Sequence, residues 1–528
     1  MDLLIILLIG LTTRLIFIIS VSTDQDFHLW AIKERKKFGN LKQNDVQNSV
    51  IPGYRGYPPI PHFIVSQFPE KYWIIAGKFI NISYDLISIV IVYYMTTYIF
   101  NIQLKSNIQN LDMIPNYVTL LYATSPILHP VSARLKAIGG RTISNLLNLG
   151  YFLGLGYALL QGNILFLFLC VPIGWAIILS SYFGMQYMLL TSILLSIFYF
   201  DPIPFLLVTV VFASGLFLPG MDIKKHLHRK IDHYIWYVRN QHKWHGTAGR
   251  NNLRHILLLP YYLVKDPNFF LSQIFKNITP IIIAYSLPPI VLLLFWCFRL
   301  PEGITIFFEN EVIHFLTIMS LSSLIVFSLT SLKPFIFLGQ AERYLGYSAG
   351  FIYILFIYFI MKFDISTMII LQTLIFQISM ILINFMYLQI SDLKKNLSWK
   401  ETDAFSSLIA FLRSRQQLRL LAIPTKWNFK IAFQLSNTDA MFYFDNITNE
   451  RKLDGIRYMD EEHVVLHYVN SDFDFFSKKY NINTLAIQKA ALSNANKFGI
   501  DYDFSDRIKI FENEDFLVFE ICQQSKRG

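Results

Sequence analysis

Runs of about 17 to 23 apolar residues recur along most of the chain, each long enough to cross a hydrocarbon core about 30 Å thick. A transmembrane barrel would show short segments of alternating polarity instead. The sequence therefore predicts a polytopic α-helical membrane protein. Composition agrees: 16% of the 528 residues are charged and 54% are apolar, whereas soluble domains carry roughly 25% charged residues.

The apolar pattern places about eleven transmembrane helices, near 3–21, 82–100, 116–128, 143–160, 164–180, 186–200, 203–219, 281–298, 312–332, 347–361 and 367–390. The first is too long for a signal-peptide core and carries Arg14, so it reads as a retained helix. Short turns such as Gln161-Gly162-Asn163 make neighbouring helices antiparallel. Residues 1–390 thus form a membrane domain, with a polar first loop at 22–81 and a basic, aromatic segment at 220–280. That segment reads as helices lying in the membrane interface, where Trp and Tyr are favoured and Lys and Arg reach headgroups. Residues 391–528 are soluble in composition and alternate strand and helix patterns, enough for one α/β core.

With 46 basic and 36 acidic residues the net charge is +10, which suits anionic headgroups or phosphorylated ligands. No nucleic-acid recognition motif accompanies it. Cys170, Cys297 and Cys522 imply no disulfide framework. Histidines at 226, 228, 233, 242 and 245 come with no HExxH motif or cysteine partner, so no metal ligands are assigned.

Chemistry concentrates in the first loop and at two helix ends. The loop opens Thr23-Asp24-Gln25-Asp26-Phe27-His28 and closes Gly56-Tyr57-Pro58-Pro59-Ile60-Pro61-His62. Carboxylates there suit proton abstraction from an acceptor, or cation binding. Helix capping is the plain alternative for both Asp24 and Asp26, and packing is the plain alternative for His28. Arg134 and Arg141 frame the second polar loop with Gly139-Gly140, and Gln340-Ala341-Glu342-Arg343-Tyr344 opens the tenth helix. An arginine at a membrane interface binds phosphate through two parallel hydrogen bonds, with Glu342 available to fix its rotamer. Helix anchoring or headgroup contact are the alternatives for these arginines.

The acidic first loop, with Tyr57, His62 and the Glu342-Arg343 motif, resembles that of GT-C-fold glycosyltransferases. That group includes protein O-mannosyltransferases and other polyprenyl-phosphate-sugar-dependent enzymes. The resemblance implies a GT-C-like membrane domain with a C-terminal soluble domain. It also implies Asp24 as general base with Asp26 beside it, and donor phosphate held by Arg343, Arg134 and Arg141. His28, Tyr57, His62, Glu342 and Tyr344 would line the substrate site. The expected partners are a polyprenyl-phosphate-linked sugar donor, a glycan, lipid or protein acceptor, and membrane lipids. The loop from His129 to Arg141 has no acidic residue, unlike the metal-dependent oligosaccharyltransferase branch. An inverting reaction needing no cofactor is therefore expected, with a divalent metal not favoured. The active face is expected to be extracytoplasmic, although basic loops by themselves point to the cytoplasm. A lipid-linked saccharide transporter or flippase, and a glycan polymerase or ligase of related architecture, are the competing functions.

Overall fold

The computed structural model describes residues 2–19, 25–104, 111–129, 138–240, 254–300, 302–399, 402–445, 447, 463–465, 468–496 and 499–521. Asp24, Arg134, His242, His245 and Cys522 lie outside these residues. The chain divides into two compact units. One comprises Met1–Ser22, Pro58–Pro219 and Gly249–Asp392, and the other Thr23–Tyr57, Gly220–Ala248 and Leu393–Gly528.

The first unit is helical: α1 (Leu3–Leu15), α3 (Ile60–Ser66), α4 (Trp73–Tyr98), α5 (Ile114–Ala123), α6 (Arg141–Gln161), α7 (Leu165–Ser180), α8 (Tyr182–Tyr199) and α9 (Ile203–Leu216) come first. After short helical turns between 254 and 277 follow α11 (Thr279–Ser286), α12 (Pro288–Arg299), α13 (Glu311–Ser331), α14 (Glu342–Lys362) and α15 (Met368–Trp399). Among the described residues six helices are long and apolar enough to cross a membrane, namely α4, α6, α8, α13, α14 and the first part of α15. The pair α11 and α12 passes the same test jointly but bends by 99°, and α1, α7 and α9 are shorter apolar helices. The protein is an integral membrane protein. The bend falls at Leu287-Pro288-Pro289, where two prolines remove backbone donors and disfavour continuation of the preceding helix.

Helix α4 starts at Trp73, well before the apolar run that marks it in the sequence, because Lys78 and Asn81 are buried with partners. Lys78 Nζ donates to the Ile18 carbonyl at 2.5 Å, and Asn81 Oδ1 accepts from Thr142 Oγ1 at 2.7 Å. Deeper in the unit, Arg14 Nε donates to Asp85 Oδ2 at 3.0 Å with both side chains buried. Arg14 Nη1 also donates to the carbonyls of Gly10 and Ala123, each at 2.9 Å. This joins α1, α4 and the end of α5.

The second unit is built from three separate stretches. Its five-stranded sheet has the order β2-β1-β5-β7-β6, with β1 (Arg419–Ile423) parallel to both β2 (Met441–Phe442) and β5 (Thr484–Gln488). β7 (Phe516–Glu520) runs antiparallel to β5 and to β6 (Ile508–Glu512). A short hairpin of β3 (Val464–Val465) and β4 (Tyr468–Val469) stands apart. Helices α16 (Asp403–Ser414), α17 (Trp427–Gln434), α18 (Phe473–Tyr480) and α19 (Lys489–Asn496) complete this C-terminal part.

First-loop residues join the same core. Helix α2 (Gln25–Phe38) packs Phe27, Trp30 and Ala31 with Phe429 and Phe444. Ser49 bridges to Phe442 at the sheet edge, where Val50 N–H donates to the Phe442 carbonyl and Phe442 N–H to that of Asn48. Helix α10 (Ile223–Asn240) is clasped to the loop through Gln43. Gln43 N–H donates to Asp222 Oδ2 at 2.9 Å and its side-chain Nε2 to His226 Nε2 at 2.7 Å, while its Oε1 accepts from Gly56 N–H at 3.1 Å. His226 Nδ1 donates to the Gly56 carbonyl at 3.0 Å. Burial, reinforced by the Arg35 charge, pushes His226 down to about 3, so the clasp uses a neutral imidazole.

Two outcomes follow from these contacts. Asp85→Ala leaves the Arg14 guanidinium buried without its carboxylate and is expected to cost about 3–5 kcal/mol, read as a lower thermal midpoint in detergent. Because the folded state holds His226 below its ordinary value near 6.5, the clasp contributes fully above that value and weakens as pH falls from there toward about 3. Thermal midpoints measured across that range should fall with acidification, and His226→Ala should be less stable at neutral pH with a shallower decline.

Candidate functional site

Three helix N-termini meet within the membrane unit. Helix α6 begins at Arg141, α8 at Tyr182 and α14 at Glu342. Gly140, just before α6, packs so tightly that an added Cβ would fall 1.7 Å from the Ser180 carbonyl oxygen and 3.1 Å from Pro61. Ser181 then caps α8, accepting from Gly184 N–H at 3.4 Å. Gly339 has φ +101° and lies against Phe183, whose ring a Cβ would strike at 2.5 Å. Only glycine allows either approach. Together they bring the heads of α6 and α14 to the first turn of α8.

Phe183 is the shared support. The Arg343 guanidinium carbon lies 4.2 Å from its ring centroid and that of Arg141 6.0 Å. Two of the three predicted phosphate-binding arginines are therefore brought to one ring. Each helix start adds outward N–H groups and a partial positive charge near +0.5. Guanidiniums and helix N-termini both favour an anion, and phosphate matches both.

Lys78 is a cation that the sequence reading missed. It is buried, and its helix face packs along the approach to α6: a Cβ on Gly77 would meet Ile138 at 2.6 Å, and Asn81 bonds Thr142. The available signal was a single lysine three residues before an asparagine inside an otherwise apolar stretch. Gln186 and Gln340 also went unnoticed. Gln186 Nε2 donates to the Leu338 carbonyl at 3.4 Å, yet the amide oxygens of both glutamines are buried without a partner among the described residues. Such acceptors suit hydroxyl donors.

The other predicted residues fall as follows. Tyr344 is buried and donates through its hydroxyl to the Leu338 carbonyl at 2.9 Å, closing the turn that carries Gly339. Glu342 is buried at the head of α14, where its charge acts on Tyr285. His62 is buried on α3, next to the Pro61 that touches Gly140. In the second unit Asp26 occupies the first turn of α2. Buried His28 has its ring 4.9 Å from Phe27 and 6.0 Å from Tyr57, and Phe27 meets Tyr57 edge-on at 5.1 Å. Asp26, His28 and Tyr57 thus form one group and Arg141 and Arg343 another.

A polar seam runs inward from the arginines. Ser144 Oγ and Tyr347 OH are 3.0 Å apart, Tyr187 and Tyr347 stack at 4.8 Å, and Tyr187 OH lies 2.9 Å from Ser323 Oγ. Asn148, Thr191, Ser192 and Tyr151 continue the buried polar positions. Beyond them, Phe152 packs on Tyr187 and Phe315 fills the notch at Gly156.

No family model matches the chain, and no curated protein matches it. Solved structures do. The oligosaccharyltransferase of Archaeoglobus fulgidus in complex with zinc and sulfate aligns over 95% of this chain and 69% of its own, at 12% identity and a TM-score of 0.54. The same organism's oligosaccharyltransferase AglB, in complex with an inhibitory peptide and a dolichol-phosphate, aligns over 92% and 69%, at 11% identity and a TM-score of 0.51. ArnT of Cupriavidus metallidurans in the apo state aligns over 98% and 97%, at 10% identity and a TM-score of 0.49. The chain therefore has the fold of the archaeal oligosaccharyltransferase, a GT-C fold.

Proposed function

We propose that the protein is an inverting membrane glycosyltransferase that moves a sugar from a polyprenyl-phosphate donor to a hydroxyl acceptor on a glycan, lipid-linked sugar or protein. The observation that carries this reading is the pair Arg141 and Arg343 at Phe183, set where three helices begin. A lipid phosphate placed there has its two negative oxygens answered by guanidinium and helix N–H groups, with Arg134 of the same loop as a further candidate. The dolichol-phosphate complex of AglB shows that a protein of this fold takes such a ligand.

In the proposed reaction Asp24 removes the acceptor hydroxyl proton, with Asp26 adding negative charge to the same loop. The acceptor oxygen attacks the anomeric carbon from the face opposite the phosphate, and the bond from that carbon to the phosphate oxygen breaks. The electron pair leaves with the polyprenyl phosphate. Arg343, Arg141 and Lys78 offset its developing charge, so no acid or metal is needed to expel it. Gln340 and Gln186 offer their amide oxygens to donor hydroxyls, and His28, Tyr57 and His62 line the acceptor approach.

We read eleven crossings, namely α1, α4 to α9, the α11–α12 pair, α13, α14 and α15, and place the active face on the extracytoplasmic side.

The test is transfer from a radiolabelled polyprenyl-phosphate sugar by the full-length protein. Asp24→Asn should lower kcat by about 10²- to 10⁴-fold, and transfer at the parental rate would remove the base assignment. Arg343→Ala should raise the donor KM roughly 10- to 150-fold, the range for a lost charged hydrogen bond, and an unchanged donor KM would remove the phosphate role. Transfer should persist in chelator; loss restored by Mn²⁺ or Mg²⁺ would place a metal in the reaction.

A further inference from the structure

One cation of the first loop enters an aromatic cage shared with the C-terminal α/β body. The guanidinium carbon of Arg55 lies 3.5 Å from the centroid of Phe27, 4.4 Å from Phe429 and 4.8 Å from Trp30. Two of these rings belong to α2 and the third to α17. The cage is rigid on its far side, where Phe429 stacks on Phe444 at 4.9 Å and Trp30 packs on Phe444 at 5.0 Å. A planar guanidinium can face several rings at once, which a compact ammonium cannot.

The backbone bearing Arg55 is held on both sides. Tyr54 pairs with Asp45, and its hydroxyl lies 3.3 Å from His228 Nδ1. Gly56 has φ +68°, exchanges hydrogen bonds with Gln43 and His226, and lies so close to Arg229 that a Cβ would sit 2.5 Å from that side chain. A fixed backbone therefore presents a fixed cation to Phe27, whose chain neighbours are Asp26 and His28. The same ring meets Tyr57. Helix α2 is tied to α17 a second time by Lys33 Nζ, which donates to the Phe433 carbonyl at 3.3 Å.

We propose that Arg55 is a positioning residue: it holds the start of α2, with Asp26, His28 and Tyr57, in one arrangement against α17, making the C-terminal body the scaffold of the first loop. The part this plays in turnover rests on the glycosyltransferase reading; the holding of α2 does not. A purely structural arginine would lower the stability of the whole body when removed. A positioning one loosens α2 and slows turnover, leaving the remainder of the body and donor binding intact.

The experiment compares the full-length parent with Arg55→Ala and Arg55→Lys in nanodiscs by amide hydrogen exchange and by steady-state transfer. In Arg55→Ala, exchange across 25–38 should rise at least tenfold while that of 403–434 stays within twofold. The kcat should fall at least tenfold with the donor KM within twofold, and the acid limb of the pH–rate profile should shift. Arg55→Lys should recover only part of each change. Unchanged exchange in 25–38, or a rise shared equally by 403–434, overturns the proposal, as does full kcat in Arg55→Lys. If the parent transfers no sugar, the glycosyltransferase reading falls and the exchange measurement alone decides whether Arg55 holds α2.

Discussion

A guanidinium and a carboxylate face each other at 3.0 Å in the interior of the membrane unit, and the placement of the first helix depends on them. Neither charge is tolerable there alone, since removing both from water costs several kcal/mol per ion and only close pairing with further hydrogen bonds offsets it. Arg14 Nη1 donates to the carbonyls of Gly10 and Ala123, so one side chain joins three helices. The pair does not act alone in setting register. Toward the α1 C-terminus Lys78 reaches the Ile18 carbonyl, and toward its N-terminus Gly10 lets Ile89 approach to 2.8 Å of where a Cβ would sit. Three contacts along one antiparallel pair fix the register of α1 against α4.

The same logic of close approach governs the cationic cluster. Two positively charged side chains lie beside three helix N-termini, and close approach of the backbone brings them there. Phe183 helps by presenting its negative ring face to Arg343 at 4.2 Å. Gly140 and Gly339 supply the geometry, one by lying against a carbonyl and the other through its left-handed φ. What results is two guanidiniums and three helix starts fixed around one aromatic ring.

Much of this could be read from the chain. Apolar runs located the helices, and the arginines noted at helix starts include Arg141 and Arg343, which the fold brings to one ring. The alternating strand and helix patterns of 391–528 correspond to β1 to β7 and α16 to α19. The misses have one cause, which is that polarity was taken as a sign of exposure. Lys78 and Asn81 looked like loop because their partners, Ile18 and Thr142, are remote in sequence. Val464–Val465 and Tyr468–Val469 form a hairpin whose arms are two residues each. The attachment of the first loop to the α/β body was invisible for the same reason: Phe27 and Trp30 lie in a stretch read as a polar loop, and nothing local names Phe429 as their neighbour.

That attachment has a consequence for how the molecule is made. Lys33 and the carbonyl it binds are separated by 400 residues, and ribosomes add roughly 5–20 residues per second. The nascent chain therefore carries α2, with Phe27 and Trp30 uncovered, for roughly 20 to 80 s before its counterpart is translated. During that interval every later membrane helix is inserted. A message broken before codon 427 yields a bundle that is otherwise whole but displays an uncovered aromatic face, the kind of surface by which a cell distinguishes finished from unfinished proteins.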